Sequence, residues 1–159
     1  IEMKTGALFA AASGLAARIS GRDEAICEAM HGYGMKLGTA YQIYDDVVDI
    51  IGTEEVTGKT LGTDLEKGKL TLPILNLLDT ATPKQKEKLT KRIIEQEPLD
   101  LHILGGIADY EGAVDDALKT ASQLVAEARG SLSLLNASEF TTALEDITLY
   151  VDQLLKSCR

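Results

Sequence analysis

Apolar positions fall into long, dense groups separated by glycine, proline and short polar breaks, and their spacing is helical throughout. Residues 3–19 are crowded with Ala, Leu, Phe and Ile on most faces, which predicts a buried helix. Gly21-Arg22-Asp23 interrupts it, and Asp23 is placed to cap a long second helix over about 24–51. Gly32, Gly34 and Gly38 lie inside that helix, where each costs about 1 kcal/mol relative to Ala. A helix that accepts them is expected to need a second helix packed close by. Residues 52–68 show no hydrophobic period and read as a loop, long enough to imply a function. A short helix over 72–78 follows, with Pro73 tolerated in its first turn.

Thr82-Pro83 opens a helix over 84–95, whose Lys84, Lys86, Lys88, Lys91 and Arg92 read as a solvated basic face. Pro98 and Gly105-Gly106 are expected to bracket another short helix. Residues 111–135 are periodic, with Val114, Leu118, Ala121, Val125 and Ala128 along one stripe. Ser138 starts a last helix containing Leu144, Ile147, Tyr150, Val151 and Leu154. No stretch alternates as a strand would, and nothing repeats. The pattern predicts an all-α chain, one domain over 1–159.

Composition narrows the function classes. The 159 residues are 45% apolar and 26% charged, a globular composition, and a formal net charge of −9 argues against a nucleic-acid surface. An acidic chain can still bind an anion through a divalent metal. The apolar run 7–17 is broken by Ser13 and Gly14 and falls short of the roughly 20 residues a bilayer requires, so no membrane span is expected. No signal-peptide pattern is visible. Cys27 and Cys158 lack a CxxC spacing and read as free thiols of a reducing compartment, with a cytoplasmic location expected. His31 and His102 are lone and read as structural. The chain starts at Ile1 in what reads as mid-helix, as expected of a fragment.

The most informative stretch is Tyr41-Gln42-Ile43-Tyr44-Asp45-Asp46-Val47-Val48-Asp49. On a helix Asp45 and Asp49 share a face, and Asp46 is three residues from Asp49. Carboxylates so close repel one another unless a cation neutralises them. They are hard oxygen ligands suited to Mg²⁺, which keeps waters and bridges carboxylates to phosphates. Gln42 adds an amide one turn earlier. Gly58-Lys59 and Gly68-Lys69, ten residues apart, supply point charges that a metal-bound diphosphate requires. GTEEVTGKT over 52–60 is not a P-loop: five residues separate Gly52 from Gly58 where four are needed, and Glu54 and Glu55 would sit in the cradle.

YQIYDDVVDIIG followed by GKTLGTDLEKGKLTLPIL closely resembles the second aspartate-rich region of the trans-isoprenyl diphosphate synthases, the polyprenyl synthetase family. Lys4-Thr5 in MKTGALF resembles that family's Lys-Thr pair, and LYVDQLLKSCR its C-terminal helix. The resemblance implies an isoprenoid-synthase-type helical bundle, of which this would be the C-terminal part. It implies Mg²⁺ held by Asp45, Asp46 and Asp49, with Asp45 the strongest direct ligand. It places Lys4, Lys59 and Lys69 on the allylic diphosphate. Thr5 and Gln42 fall beside the allylic cation, and Tyr41 beside the reacting prenyl units; Gly6, Ala7 and Ala10 read as core in preference to a product channel.

The implied reaction is head-to-tail condensation of isopentenyl diphosphate with an allylic prenyl diphosphate, with Lys4, Thr5, Gln42 and Lys59 as its catalytic side chains. The family's first aspartate-rich motif and its following arginines are not among these residues, so a half-site is expected, inactive alone. A homodimer, or pairing with the N-terminal half, is the expected assembly. The competing reading is a non-catalytic regulatory or interaction subunit on the same scaffold. Such a subunit would be expected to have lost motif carboxylates or lysines, and all are present.

Overall fold

A computed structural model describes residues 2–52, 69–95, 97 and 101–158. Every regular element among them is helical: a π-helical turn Glu2–Gly6, then α1 (Ala7–Ile19), α2 (Glu24–Ile51), α3 (Leu72–Thr80), α4 (Pro83–Ile94), α5 (Leu101–Ile107), α6 (Tyr110–Ser131), a 3₁₀ turn Leu132–Leu134 and α7 (Glu139–Lys156). The all-α expectation holds.

Local chemistry sets the boundaries. Gly21 adopts φ 70°, a left-handed conformation that ends the first helical segment. The Asp23 carboxylate then accepts the backbone N–H of Ile26 at 2.9 Å, so α2 begins at its expected cap. At α4 the backbone N–H and hydroxyl of Thr82 both donate to Oε1 of Gln85, at 2.8 and 2.7 Å. Ser138 Oγ accepts from the N–H of Thr141 at 3.1 Å and starts α7.

The chain divides into two compact units, Ile1–Tyr44 with Thr120–Ser157 and Arg159, and Asp45–Lys119 with Cys158. In the first, α1 lies against α2 through small residues. A Cβ on Gly34 would stand 2.3 Å from the carbonyl oxygen of Phe9, and one on Gly38 2.9 Å from the Phe9 side chain. Ser13 Oγ donates across to the carbonyl of Met30 at 2.6 Å. Tyr33 donates to the carbonyl of Leu144 at 2.9 Å, joining α2 to α7, and burial pushes its phenol up to about 12. Arg129 Nε donates to Thr148 Oγ1 at 2.9 Å, and Lys36 meets Glu127 at 3.3 Å. In the second unit Asn76 donates to the carbonyl of Ala113 at 3.2 Å and Gln85 to that of Ile107 at 2.7 Å. All five residues of the expected α6 stripe are buried.

Several expectations need correction. Residues 3–19 are not buried all round: Ala10 and Ala17 are, whereas Leu8, Leu15 and Ile19 are exposed, the last at 84%. The small residues of α1 make its contact with α2, which leaves the large ones outward. Gly34 and Gly38 meet a close neighbour as expected, but Gly32 has nothing within 4 Å of a built Cβ. Gly105 and Gly106 fall in the last turn of α5, which stops one residue later at Ile107, close to where they were expected to end it. The long helix expected to reach residue 135 ends at Ser131, where Gly130 lowers helix propensity and Ser133 Oγ donates to its carbonyl at 2.8 Å. The expected loop over 52–68 lies, from residue 53 on, outside the described residues, and so does Pro98.

Candidate active site

The expected site residues fall into two sets, one in each unit. In the first unit the π-helical turn carries Lys4, which is exposed, and Thr5, which is half-buried. Extra-wide turns of this kind often occur where a helix presents functional side chains. Thr5 Oγ1 donates to Oε1 of Gln42 at 2.5 Å, joining side chains 37 residues apart. This pairing fixes the Gln42 amide, since its carbonyl end is committed to the hydroxyl. Tyr41, 38% exposed, packs its ring 6.0 Å from that of Tyr44 at 40°. Gly6 and Ala10 are buried and Ala7 half-buried.

Thr39 escaped the sequence reading. It is buried, and among the described residues its hydroxyl has no hydrogen-bond partner. A Cβ on Gly6 would come 2.7 Å from that hydroxyl. The available signal was its position: a lone polar residue three before Gln42 in an otherwise small or apolar run.

In the second unit Asp45, Asp46 and Asp49 occupy the last two turns of α2, which the N–H of Gly52 closes on the carbonyl of Val48 at 2.9 Å. Their environments differ. Asp45 and Asp49 are half-buried, whereas Asp46 is 1% exposed, next to the buried Val47. Lys69 Nζ lies 3.2 Å from Asp46 Oδ1, with the lysine side chain 46% exposed. Thr71, two residues on, is buried at the N-terminus of α3, and its hydroxyl has no partner among the described residues. Lys59 lies outside the described residues.

The electrostatics favour cations here. The last carbonyls of a helix carry partial negative charge, so carboxylates in its final turns are unfavourable by about 0.3–1 kcal/mol each. The last turn of α2 contains no basic residue of its own, and Lys69 supplies one from outside the helix. Among the described residues no three His, Cys, Asp or Glu side chains gather closely enough to hold a metal by themselves. The three aspartates expected to hold Mg²⁺ are therefore not assembled as one ligand set, and an ion here would need waters and substrate phosphates beside one or two carboxylates. Asp45 and Asp49, one turn apart and half-buried, fit that chemistry.

Residues 1–104 match the model of the polyprenyl synthetase family. The chain belongs to that family. It is 33% identical over 149 residues to the geranylfarnesyl diphosphate synthase of Natronomonas pharaonis, covering 92% of this chain and 42% of that protein. Its structure resembles that of a decaprenyl diphosphate synthase from Rhodobacter capsulatus, with TM-score 0.84 and 28% identity, over 100% of this chain and 49% of that one. It also resembles a polyprenyl synthase from Caulobacter crescentus complexed with calcium and isoprenyl diphosphate, with TM-score 0.80 and 33% identity, over 96% and 47%. This polyprenyl synthetase chain therefore spans less than half the length of these relatives. No helix among its described residues is long and apolar enough to cross a membrane.

Proposed function

We propose that this chain supplies one half-site for Mg²⁺-dependent prenyl transfer, the condensation of isopentenyl diphosphate with an allylic prenyl diphosphate. The observation that carries the reading is the pairing of carboxylate and ammonium groups at the end of α2. There Asp45 and Asp49 are half-buried, and Lys69 lies 3.2 Å from Asp46. Family membership supports it, as does the relative that holds calcium with isoprenyl diphosphate.

In this reading Asp45 and Asp49 hold the metal. Bound there, Mg²⁺ supplies positive charge that offsets the charge developing on the departing diphosphate. Lys69 binds that diphosphate and stabilises it as the C–O bond ionises, and the family resemblance assigns Lys4 and Lys59 to diphosphate as well. Thr5 and Gln42, held to each other, offer oxygen dipoles to the allylic cation, and Tyr41 lies along the prenyl chain. No side chain acts as a nucleophile. The half-site pairs with a second one carrying the other aspartate-rich motif, in a homodimer or with the N-terminal half, and works in the cytoplasm.

Calorimetric titration of the purified chain with inorganic pyrophosphate tests the reading. Binding is expected with Mg²⁺ and not in EDTA. Incubation with Mg²⁺, isopentenyl diphosphate and an allylic starter is expected to give no product from these 159 residues alone. Pyrophosphate binding that is indifferent to Mg²⁺ would remove the carboxylates from the proposal. Product from the isolated chain would overturn the half-site.

A further inference from the structure

We propose that Asp46 is a positioning residue: it holds the Lys69 ammonium in place for the diphosphate and does not itself bind the metal. The proposal deepens the function just given and rests on it.

Three adjacent features lead there. Successive residues of an α-helix are about 100° apart, so Asp46 points well away from Asp45 although the two are neighbours in sequence. Asp46 falls with the buried Val47 and Ile50 at 1% exposure, while Asp45 and Asp49 keep contact with solvent. A Mg²⁺ ion dehydrates reluctantly and retains several waters. A carboxylate removed from solvent is therefore the member of the motif least suited to it.

A buried carboxylate has a demand of its own. Its charge must be compensated by a cation or by hydrogen bonds. Lys69 meets that demand from 23 residues further along the chain, with Nζ 3.2 Å from Oδ1. The lysine side chain is 46% exposed, so its ammonium is tethered by Asp46 without being removed from solvent. A lysine stem is long and flexible, and an unrestrained ammonium samples many positions. The bond to Asp46 restricts where that ammonium sits. The electrostatic contribution of a cation to a departing diphosphate depends on its being placed beforehand. In this arrangement the motif divides its work: Asp45 and Asp49 face the metal, and Asp46 sets the lysine.

The test is a double-mutant cycle on the full chain with D46N, K69M and the double variant, with D45N for contrast. Two affinities are measured: Mn²⁺ alone, by electron paramagnetic resonance, and inorganic pyrophosphate in saturating Mn²⁺. D46N is expected to leave the Mn²⁺ affinity within twofold while D45N weakens it at least fivefold. D46N and K69M are each expected to weaken pyrophosphate binding about five- to tenfold, and the double variant no further than K69M. D46E, which keeps the charge, is expected to lose less than D46N, and it serves if D46N does not fold. Mn²⁺ affinity that falls with D46N or D46E as it does with D45N would make Asp46 a ligand and overturn the inference. Additive losses in the double variant would also overturn it. A wild-type chain that binds no pyrophosphate with Mn²⁺ would sink the proposed function itself, and is distinguishable because no variant is needed to see it.

Discussion

Over its 28 residues helix α2 serves two purposes, and its two ends treat buried polarity differently. In the unit Ile1–Tyr44 with Thr120–Ser157 it is a packing surface, with glycines pressed against α1, a half-buried neutral hydrogen bond from Thr5 to Gln42, and one buried neutral hydroxyl, that of Thr39. In the unit Asp45–Lys119 it presents charge, and its buried polar group, Asp46, meets a lysine. A neutral pair costs little to desolvate and fixes orientation. A charged pair costs more and is retained where charge itself is wanted. The contrast suggests that substitutions at the glycines of the first end should act on stability, and those at the aspartates of the second on binding and turnover.

The largest expected effect tests the charged end. In a full-length synthase carrying this sequence, Asp45→Asn keeps the shape and removes the charge, and should lower turnover by about 10²–10³-fold. Turnover within twofold of the parent would break the division at its functional end.

The next effect tests the packed end. A Cβ on Gly34 would meet the Phe9 carbonyl oxygen at 2.3 Å, a backbone atom that cannot swing aside. Gly34→Ala should therefore destabilise by about 1–3 kcal/mol, the range for overpacking, despite the better helix propensity of Ala. Urea unfolding gives the number. A neutral or stabilising result would mean α1 separates from α2 at little cost.

How much of this was legible in the sequence depended on the range of the contacts involved. The helix content, the start of α2 at Asp23 and the Thr82 and Ser138 caps follow from local patterns, and each appears as expected. Family membership was legible because the carboxylates and the Gly-Lys pairs keep a joint spacing that chance seldom produces. The different surroundings of Asp45 and Asp46 were not legible, because periodicity alone does not say which face of a helix rich in apolar residues is covered. The exposure of Leu8, Leu15 and Ile19 was hidden for a related reason: a helix apolar on most faces can pack through its small residues.

A smaller effect compares two buried phenols, one in each unit. Tyr33 donates to the Leu144 carbonyl at 2.9 Å, whereas the Tyr110 hydroxyl has no partner among the described residues. Tyr33→Phe should cost about 1 kcal/mol, the net worth of a hydrogen bond, and Tyr110→Phe should cost nothing or stabilise. Burial raises both phenols above their ordinary value, Tyr33 to about 12. Above pH 10 the unfolded chain therefore releases these protons before the folded one, and stability falls as pH rises. Urea midpoints between pH 9 and 11.5 should show Tyr33→Phe losing part of that slope. An unchanged slope would mean Tyr33 is wetter than its burial implies.

The smallest effect is also the sharpest control on the packed end of α2. Gly32 lies two residues from Gly34 in the same helix, yet a Cβ there would find nothing within 4 Å. Glycine in a helix interior is disfavoured because its unfolded backbone has more freedom to lose and it contributes no side chain. With no neighbour to meet, Gly32→Ala keeps that benefit without overpacking, and should stabilise by about 0.5–1 kcal/mol. The substitution is chemically the same as Gly34→Ala, so propensity, solvation and effects on the unfolded chain nearly cancel between them. The difference in their urea midpoints then measures the close approach of α1 at Gly34 and little else. Opposite signs are expected. If both alanines stabilise, the contact of Phe9 with Gly34 yields easily; if both destabilise, Gly32 faces a neighbour too, and the whole glycine run of α2 is a packing seam.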